Sequence, residues 1–407
     1  MCPLDNNDLS EKAQKEDVFL TTEARHYFWP PDLACRLIDI LKQCKSFTQK
    51  VAMLFKNFVD CLELDYYPLV TGEMLSIFAK HWPDLCILKL NGLQDGQVSP
   101  NSLLKIAQLR HLKELYLNGV RSVNDDNISS LATLPNLRVL DIGRTRVTDV
   151  GWHRMMAPAC LILERLDVTG MSEGNLDYVG IKPILPPALT DAGFQHILKL
   201  FPALKMLTVS KTSITGASPP DTGVINTQLE TLILTDCEKL AFLPVWISSV
   251  KEFKLNANVP LTFDTVFDDL QKYKLSSRVE KIVGLFSLNS FCREAFLRLV
   301  QLNLHLTDFN FSTCGKDWLT LPILLEFLRS MAASQAIRSS IRVLTLPYKR
   351  FHFSESSANE LIDALSEFKQ LTHLNFGNQL SFLHVYSLEP LFRQLCRLSS
   401  VTITHGM

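Results

Sequence analysis

The apolar residues of this chain recur in a short motif, apolar-x-x-apolar-x-apolar, that repeats along most of its length. Leu85, Leu88 and Leu90 form one copy, and the first positions of the five copies from Val59 to Leu163 are 26, 27, 25 and 26 residues apart. A period of about 20–29 residues is typical of leucine-rich repeats. The middle of each motif is therefore expected to be a short strand whose apolar side chains point inward, with the intervening side chains pointing outward.

The stretches between these strands have a helical pattern. Apolar residues recur every three positions at Ile128, Leu131 and Leu134, and a proline such as Pro135 then ends the helix before the next strand. The predicted fold class is α/β: a leucine-rich-repeat solenoid with parallel concave strands, convex helices, an N-terminal helical cap and a helical insertion. The expected copies have their first apolar positions at Val59, Leu85, Leu112, Leu137, Leu163, Leu204, Leu229, Leu306, Ile341, Leu371 and Leu398.

The pattern divides the chain into five segments. They are a polar tail over 1–22, a helical cap module over 23–58, leucine-rich repeats over 59–262, a helical hairpin over 263–304 and C-terminal leucine-rich repeats over 305–407. The hairpin is predicted because the strand motif stops there while helical spacing continues. The pattern does not decide whether the last segment continues the first solenoid or forms a separate block.

The helical module begins at Pro31 and Asp32, which favour the first turn of a helix. Two interpretations stay open. The module can dock on an adapter protein, or it can only cap the first repeat, as every solenoid requires at its ends. The residues that would bind an adapter are Leu33, Leu37, Ile40, Leu41 and Cys44.

Two insertions interrupt the repeats, over 170–190 and over 216–228, and both are rich in proline and glycine. Insertions in repeat proteins often lie on the binding face, but they are also tolerated as plain surface loops. Both interpretations stay open.

Composition excludes several classes of function. The 41 Lys plus Arg residues balance 42 Asp plus Glu residues, which argues against nucleic acid or an anionic membrane as the main partner. No stretch approaches the roughly 20 apolar residues of a membrane helix, and no secretory signal is visible. The ten cysteines are scattered without metal-binding spacing, so we expect reduced thiols in a cytoplasmic or nuclear protein.

The sequence contains no motif that carries a known chemistry. The zinc-protease, nucleophile-elbow and phosphate-binding motifs are all missing, and Cys44 is interpreted as a core residue on an apolar helix face. We therefore predict no catalytic residue, no metal, no cofactor and no enzymatic activity.

By elimination, the predicted binding site is the concave face. Its mixed charge suits a protein or peptide partner, and Tyr116 with Arg165 is the kind of pair that anchors interfaces. The predicted partner-binding residues are Lys89, Asn91, Glu114, Tyr116, Asn118, Asp141, Arg165, Asp167, Thr208, Ser210, Thr231 and Thr235.

Three segments within about residues 28–300 resemble the Zyg-eleven family of leucine-rich-repeat substrate receptors of cullin-RING ubiquitin ligases. The first is the helix start Trp29-Pro-Pro-Asp-Leu-Ala-Cys-Arg-Leu-Ile38. The second is the repeat Leu134-Pro-Asn-Leu-Arg-Val-Leu-Asp-Ile-Gly-Arg-Thr-Arg-Val-Thr-Asp149. The third is the linker Leu270-Gln-Lys-Tyr with Val279-Glu-Lys-Ile-Val-Gly-Leu-Phe-Ser-Leu288.

The resemblance implies that the chain recruits a substrate to a ligase through an adapter and a cullin. Two features depart from the family. Residues 1–22 lack the adapter box, a Leu followed four residues later by Cys, although Ile40 and Cys44 have that spacing, and no armadillo-like C-terminal array is visible. The alternatives are a structural or signalling scaffold, or an enzyme inhibitor, with no ligase link.

Overall fold

The computed structural model describes residues 30–55, 59–94, 96–155, 160–170, 189–218, 228–256, 258–272, 279–288, 291–302, 304–312, 314, 318–379 and 388–402. The polar tail over 1–22 and most of both insertions lie outside the described residues. The chain divides into two units, Met1–Leu166 and Asp167–Met407, each of which is described by itself.

Unit 1 alternates short strands with helices. The strands are β1 (Cys61–Glu63), β2 (Ile87–Lys89), β3 (Glu114–Tyr116) and β4 (Val139–Asp141), and β5 (Arg165–Asp167) lies at the unit boundary. The helices are α1 (Pro31–Gln43), α2 (Gln49–Ala52), α3 (Gly72–His81), α4 (Pro100–Ile106), α5 (Ile128–Leu131) and α6 (Asp149–Arg154), with a 3-10 turn at Met53–Phe55.

The strands of unit 1 pair in parallel in the order of the chain. The register aligns the middle residues Leu62, Leu88, Leu115 and Leu140, all of which are buried. The residues on either side of each leucine are mostly half-buried and form what we call the strand face, on the opposite side from the core. This is the alternation that the repeat motif predicts.

Unit 2 continues the same pattern in a longer run of elements. The strands are β6 (Met206–Thr208), β7 (Thr231–Ile233), β8 (Glu252–Lys254), β9 (Lys281–Val283), β10 (Asp308–Asn310), β11 (Val343–Thr345), β12 (His373–Asn375) and β13 (Ser400–Thr402). The helices are α7 (Asp191–Leu200), α8 (Phe263–Lys272), α9 (Arg293–Gln301), α10 (Leu321–Ala333), α11 (Gln335–Ser340), α12 (Glu355–Ser366) and α13 (Glu389–Gln394), with a 3-10 turn at Leu285–Ser287.

The C-terminal repeats stack directly on the repeats before them. Strands β6 to β9 form one parallel ladder and strands β10 to β13 form another. A backbone hydrogen bond joins the two ladders between β9 and β10. The Thr307 backbone N–H donates to the Glu280 carbonyl oxygen at 2.7 Å, the contact made at the start of most other strands of the unit. The described residues after 304 thus repeat the strand-and-helix pattern, in a four-stranded ladder of their own.

The prediction of a helical hairpin over 263–304 is wrong at its centre. Helices α8 and α9 are present, but β9 lies between them and pairs in parallel with β8. The strand was missed because the third apolar position of its motif is Gly284. That residue has φ of 83°, and a Cβ there would stand 2.3 Å from the Leu255 carbonyl oxygen, so the close stacking of the two repeats requires glycine.

An aromatic cluster fills the core of unit 2 where the hairpin was predicted. Phe296 stacks on Phe327 with ring centroids 3.9 Å apart, and Phe286 stacks on Phe311 at 4.7 Å. These four rings come from two consecutive repeats, those of β9 and β10, and each is buried. The cluster therefore joins the predicted hairpin segment to the C-terminal repeats through packing that is worth several kcal/mol per ring.

The last described strand departs from the predicted burial. Val401 occupies the central inward position of β13, yet its side chain is 44% exposed. β13 ends its ladder, so no following described strand covers it. Ile403, the third apolar residue of this copy, lies outside the described residues.

Candidate functional site

Helix α1 exposes an apolar stripe. Its Ala34 and Ile38 are buried, which fixes the side of the helix that packs on the protein. At 100° per residue, four other side chains share a face on a different side, and we call Leu33, Leu37, Ile40 and Cys44 the α1 stripe. Leu33 is 43% exposed and Ile40 is 54% exposed, Cys44 is exposed and Leu37 is half-buried.

These positions correct one prediction and refine another. Cys44 is not a core residue, because the helix packs through the side that bears Ala34 and Ile38. Leu41, predicted to bind an adapter, is half-buried between that side and the stripe. The stripe is thus formed by four of the five residues named from the sequence.

The helical module is fastened to the first repeat. The Cys35 thiol lies 3.8 Å from the Cys61 carbonyl oxygen of β1, and the Tyr67 hydroxyl donates to the Phe47 carbonyl oxygen at 3.1 Å. Phe47 is fully buried, and its ring centroid lies 6.4 Å from that of Tyr67. The module therefore caps the repeats through these residues while its stripe stays exposed to solvent.

The strand face of unit 1 is organised around Tyr116. Its hydroxyl donates to a Glu114 carboxylate oxygen at 2.8 Å, and the Lys89 ammonium lies 5.7 Å from its ring centroid. Lys89 also forms an ion pair with Glu63 of β1. Burial raises the pKa of Tyr116, and the hydrogen bond to Glu114 raises it further, so the hydroxyl keeps its proton at neutral pH.

Arg165 lies on the same face in the part that belongs to unit 1. Its side chain is exposed, and its charge acts on the Tyr116 hydroxyl by lowering the pKa. Tyr116, Lys89 and Glu114 thus form one cluster, and the charge of Arg165 acts on the same hydroxyl. A half-buried aromatic ring held by charged neighbours is a typical anchor for a protein partner.

Three predicted partner-binding residues also form hydrogen bonds within the turns. Asn91 accepts the Asn118 backbone N–H at 2.8 Å, and the Asn118 amide donates to Asp141 at 3.2 Å. Asp141 also accepts the Gly143 backbone N–H at 2.9 Å, and Asp65 accepts the Asn91 N–H at 2.8 Å. This polar row links successive repeats, so these half-buried side chains at the edge of the strand face have a structural role whether or not they contact a partner.

The unit 2 part of the predicted face also differs from expectation. Ser210 is only 5% exposed, and its hydroxyl is hydrogen-bonded to that of Thr235 at 2.7 Å. Asp167 accepts the Thr169 N–H at 2.9 Å. Thr208 and Thr231 remain half-buried on the face.

A charge network that the sequence did not indicate lies further along this face. Lys281 pairs with Glu252 at 3.4 Å and with Asp308 at 3.2 Å, and Lys254 lies 3.8 Å from Glu252. Burial acts to lower the pKa of Lys281, but the carboxylates of Asp308 and Glu252 outweigh it and raise the pKa. Lys281 thus stays charged and ties three successive repeats together.

In six of the described turns, a left-handed residue lies four residues beyond the buried centre of the preceding strand. In unit 1 these are Tyr66, Gly92, Gly119 and Arg144, with φ of 56°, 65°, 78° and 54°. Lys211 and Asp236 occupy the same place in unit 2, with φ of 55° and 57°. This conformation costs a residue other than glycine roughly 1–2 kcal/mol.

The contribution of the Asp236 carboxylate to the stability of its turn can be tested by changing the pH. The Asn258 and Asn256 amides donate to its carboxylate at 2.6 and 2.7 Å and hold its pKa below the ordinary value of 3.8. A depressed pKa contributes stability that is present above the ordinary value and is lost as pH falls through the folded value. We expect the stability advantage of the native chain over Asp236→Asn, up to about 1 kcal/mol, to shrink below about pH 4.

Urea unfolding of both chains across this pH range measures that difference. Glu238→Gln is the matched control, since Glu238 is exposed and makes no such bonds with the described residues. A constant difference between the native chain and Asp236→Asn down to low pH would contradict the account of this carboxylate.

The described residues show no arrangement suited to metal binding. No group of three or more His, Cys, Asp or Glu side chains among them could hold a metal ion. Cys160, Cys237 and Cys314 are buried, and burial raises the pKa of the Cys160 thiol to about 11, which makes it a poor nucleophile. None of the helices in the described ranges has the length and apolar character needed to cross a lipid bilayer.

Comparisons with known proteins find similarity only to solved structures, at low sequence identity and low TM-score. Neither a protein-family model nor a curated protein sequence matches the chain. An internalin from Listeria monocytogenes is 15% identical, with 94% of this chain and 98% of that chain covered and a TM-score of 0.40. A complex of Rad7 and Elc1 from yeast is 15% identical, with coverages of 92% and 91% and a TM-score of 0.42.

A third solved structure, the TLR13–ssRNA13 complex, is 13% identical, with coverages of 87% and 52% and a TM-score of 0.41. At such TM-scores the alignments carry no functional inference. The chain is a leucine-rich-repeat solenoid by its own parallel strands, register and repeat period.

Proposed function

We propose that this protein binds other proteins and serves as the substrate-recognition subunit of a cullin-RING ubiquitin ligase. In this proposal the α1 stripe docks on the ligase adapter, and the strand face holds the substrate. The chain supplies no catalytic group, because the ligase supplies the chemistry. Such a receptor works in the cytoplasm or nucleus, where its thiols stay reduced.

The observation that carries the proposal is the exposure of the α1 stripe. A helix that only capped the first repeat would need one apolar side, and the side with Ala34 and Ile38 meets that need. Leu33 and Ile40 instead leave apolar surface in water, which is a recurring mark of a helix that docks on a partner. The resemblance to the Zyg-eleven family makes a ligase adapter the partner to test first.

Changing Leu37 and Ile40 together to aspartate should abolish co-purification with the adapter. Two buried charges in an apolar interface are expected to weaken binding by at least about a hundredfold. Pull-down of tagged chains followed by quantitative mass spectrometry measures this loss.

The control for that experiment is Gln43→Asp, which adds one negative charge at an exposed position of α1 outside the stripe. It should leave adapter recovery unchanged. If the variant with Leu37 and Ile40 changed to aspartate still recovers the adapter, the α1 stripe is not the docking surface.

The strand face should be tested separately through Tyr116. Tyr116→Ala removes the ring at the centre of the unit 1 cluster and is expected to weaken substrate capture about tenfold or more. Tyr116→Phe is the matched control for the hydroxyl, because it keeps the ring and loses only the bond to Glu114. Equal substrate recovery with Tyr116→Ala and the native chain would place the substrate elsewhere.

A second candidate function is a scaffold that has no link to a ligase. The absence of a Leu-x-x-x-Cys adapter box from residues 1–22 favours it. The scaffold predicts a single stoichiometric partner and no adapter in the same pull-down.

A further inference from the structure

A rigid, exposed aromatic residue stands at the turn that follows β1. Tyr66 is 74% exposed, and its hydroxyl has no partner among the described residues. Its φ is 56°, in a repeat position that the next two repeats fill with Gly92 and Gly119. Glycine takes this conformation without strain, so tyrosine is an unfavourable choice here on structural grounds alone.

The loop that carries Tyr66 is held in place from several sides. The Tyr66 backbone N–H donates to the Asn91 carbonyl oxygen at 2.8 Å. The Gln97 amide donates to the carbonyl oxygens of Tyr67 at 3.1 Å and Pro68 at 2.9 Å. The ring lies across Gly92, where a Cβ would stand 2.0 Å from Tyr66 Cε1. A ring fixed in this way loses little freedom on binding, which favours affinity.

The same row of turns ends in an uncompensated positive charge. Arg144 is exposed, has φ of 54° and forms no ion pair with a described residue, and Arg146 is also exposed without one. The carboxylate of Asp126, in the preceding repeat, pairs instead with Arg154 at 2.7 Å. This end of the row therefore attracts a negative group from a partner.

The distance between Tyr66 and Arg144 sets how many residues of a bound peptide would separate the two contacts. Tyr66 and Arg144 occupy equivalent positions three strands apart, and continuous backbone hydrogen bonds join the four turns. Three strand spacings are about 14 Å, which an extended peptide covers in about four residues.

We propose that the turns bearing Tyr66 and Arg144 form a binding site for an extended acidic peptide of a partner protein. An apolar or aromatic side chain of that peptide packs on Tyr66, and an Asp or Glu about four residues away pairs with Arg144. The site lies outside both the α1 stripe and the strand-face cluster, and it does not depend on an adapter.

The test selects a displayed library of random short peptides on the full chain and measures the enriched peptides by fluorescence polarisation. We expect enrichment of an apolar residue followed by an acidic residue at the stated spacing. Tyr66→Gly and Arg144→Gly should each weaken binding at least about tenfold. Lys211→Gly, at the equivalent strained position of unit 2, is the matched control and should leave binding unchanged.

Thermal unfolding separates a binding role from a structural role. Because glycine relieves the strained φ, Tyr66→Gly should unfold at the same temperature as the native chain or slightly higher. A clear fall in the unfolding temperature would make Tyr66 a structural residue and overturn the proposal. So would the failure to enrich acidic peptides, or binding of a mixed-sequence single-stranded oligonucleotide that depends on Tyr66 when no peptide binds.

Discussion

Replacing Phe296 with alanine should lower the free energy of unfolding by about 3–5 kcal/mol, the usual cost of removing a fully buried phenylalanine ring. The Phe296 ring is completely buried, and it stacks on Phe327 at a centroid distance of 3.9 Å. It also lies 6.1 Å from Phe286, 6.4 Å from Phe291 and 5.9 Å from Phe311, so its removal leaves a cavity lined by four aromatic rings. Equilibrium unfolding in urea, followed by circular dichroism, measures this loss.

Phe392→Ala is the matched control for that substitution. Phe392 lies on α13 and is 41% exposed, so the same change should cost less than about 1 kcal/mol. Similar losses from both variants would mean that the aromatic cluster is not a packed core.

Gly284→Ala should destabilise the protein by about 2–4 kcal/mol, because it combines a left-handed backbone with a backbone clash. The added Cβ would stand 2.3 Å from the carbonyl oxygen and 2.8 Å from the carbonyl carbon of Leu255, and a neighbouring repeat cannot retreat as a flexible side chain could. The shift of the urea midpoint reports the cost.

Gly119→Ala separates the two contributions. Gly119 has φ of 78°, but the nearest atom to its added Cβ is the Gly92 Cα at 3.8 Å, an ordinary contact. Only the conformational cost of about 1–2 kcal/mol is expected. If Gly119→Ala proved as damaging as Gly284→Ala, the close stacking of β8 and β9 would not explain the requirement for glycine.

The repeat architecture could be predicted because it is set by local pattern. Leu88 and Leu115 are buried in register because the same motif recurs at a nearly constant period. Equivalent residues of successive repeats therefore stack on each other. β9 was missed because Gly284 breaks that motif, and glycine is required there by the Leu255 carbonyl of the preceding repeat. A window of sequence carries no information on such a distant neighbour.

The candidate docking residues were partly predictable for the same reason. Helical periodicity placed Leu33, Leu37 and Ile40 on one face, but it could not say which face packs on the first repeat. The burial of Ala34 and Ile38 decides this, and it moves Cys44 from the core to the surface.

The strand face shows a different limit. The outward position of Asn118 follows from its spacing, yet its hydrogen-bond partners belong to repeats 27 residues before and 23 residues after it. The pairing of Lys281 with Asp308 likewise depends on the register of β9, a strand that the pattern did not predict. The alternation of apolar and polar residues predicts whether a side chain points inward or outward. The residue that it pairs with depends on how the repeats stack.

The central claim is that one chain joins a ligase adapter to a substrate through two separate surfaces. Quantitative affinity purification from cell lysate tests it with three chains: the native protein, the variant with Leu37 and Ile40 changed to aspartate, and Tyr116→Ala. We predict that the first variant loses the adapter and cullin but keeps the substrate, while Tyr116→Ala loses the substrate and keeps the adapter. Recovery of no adapter or cullin with the native protein would contradict the claim.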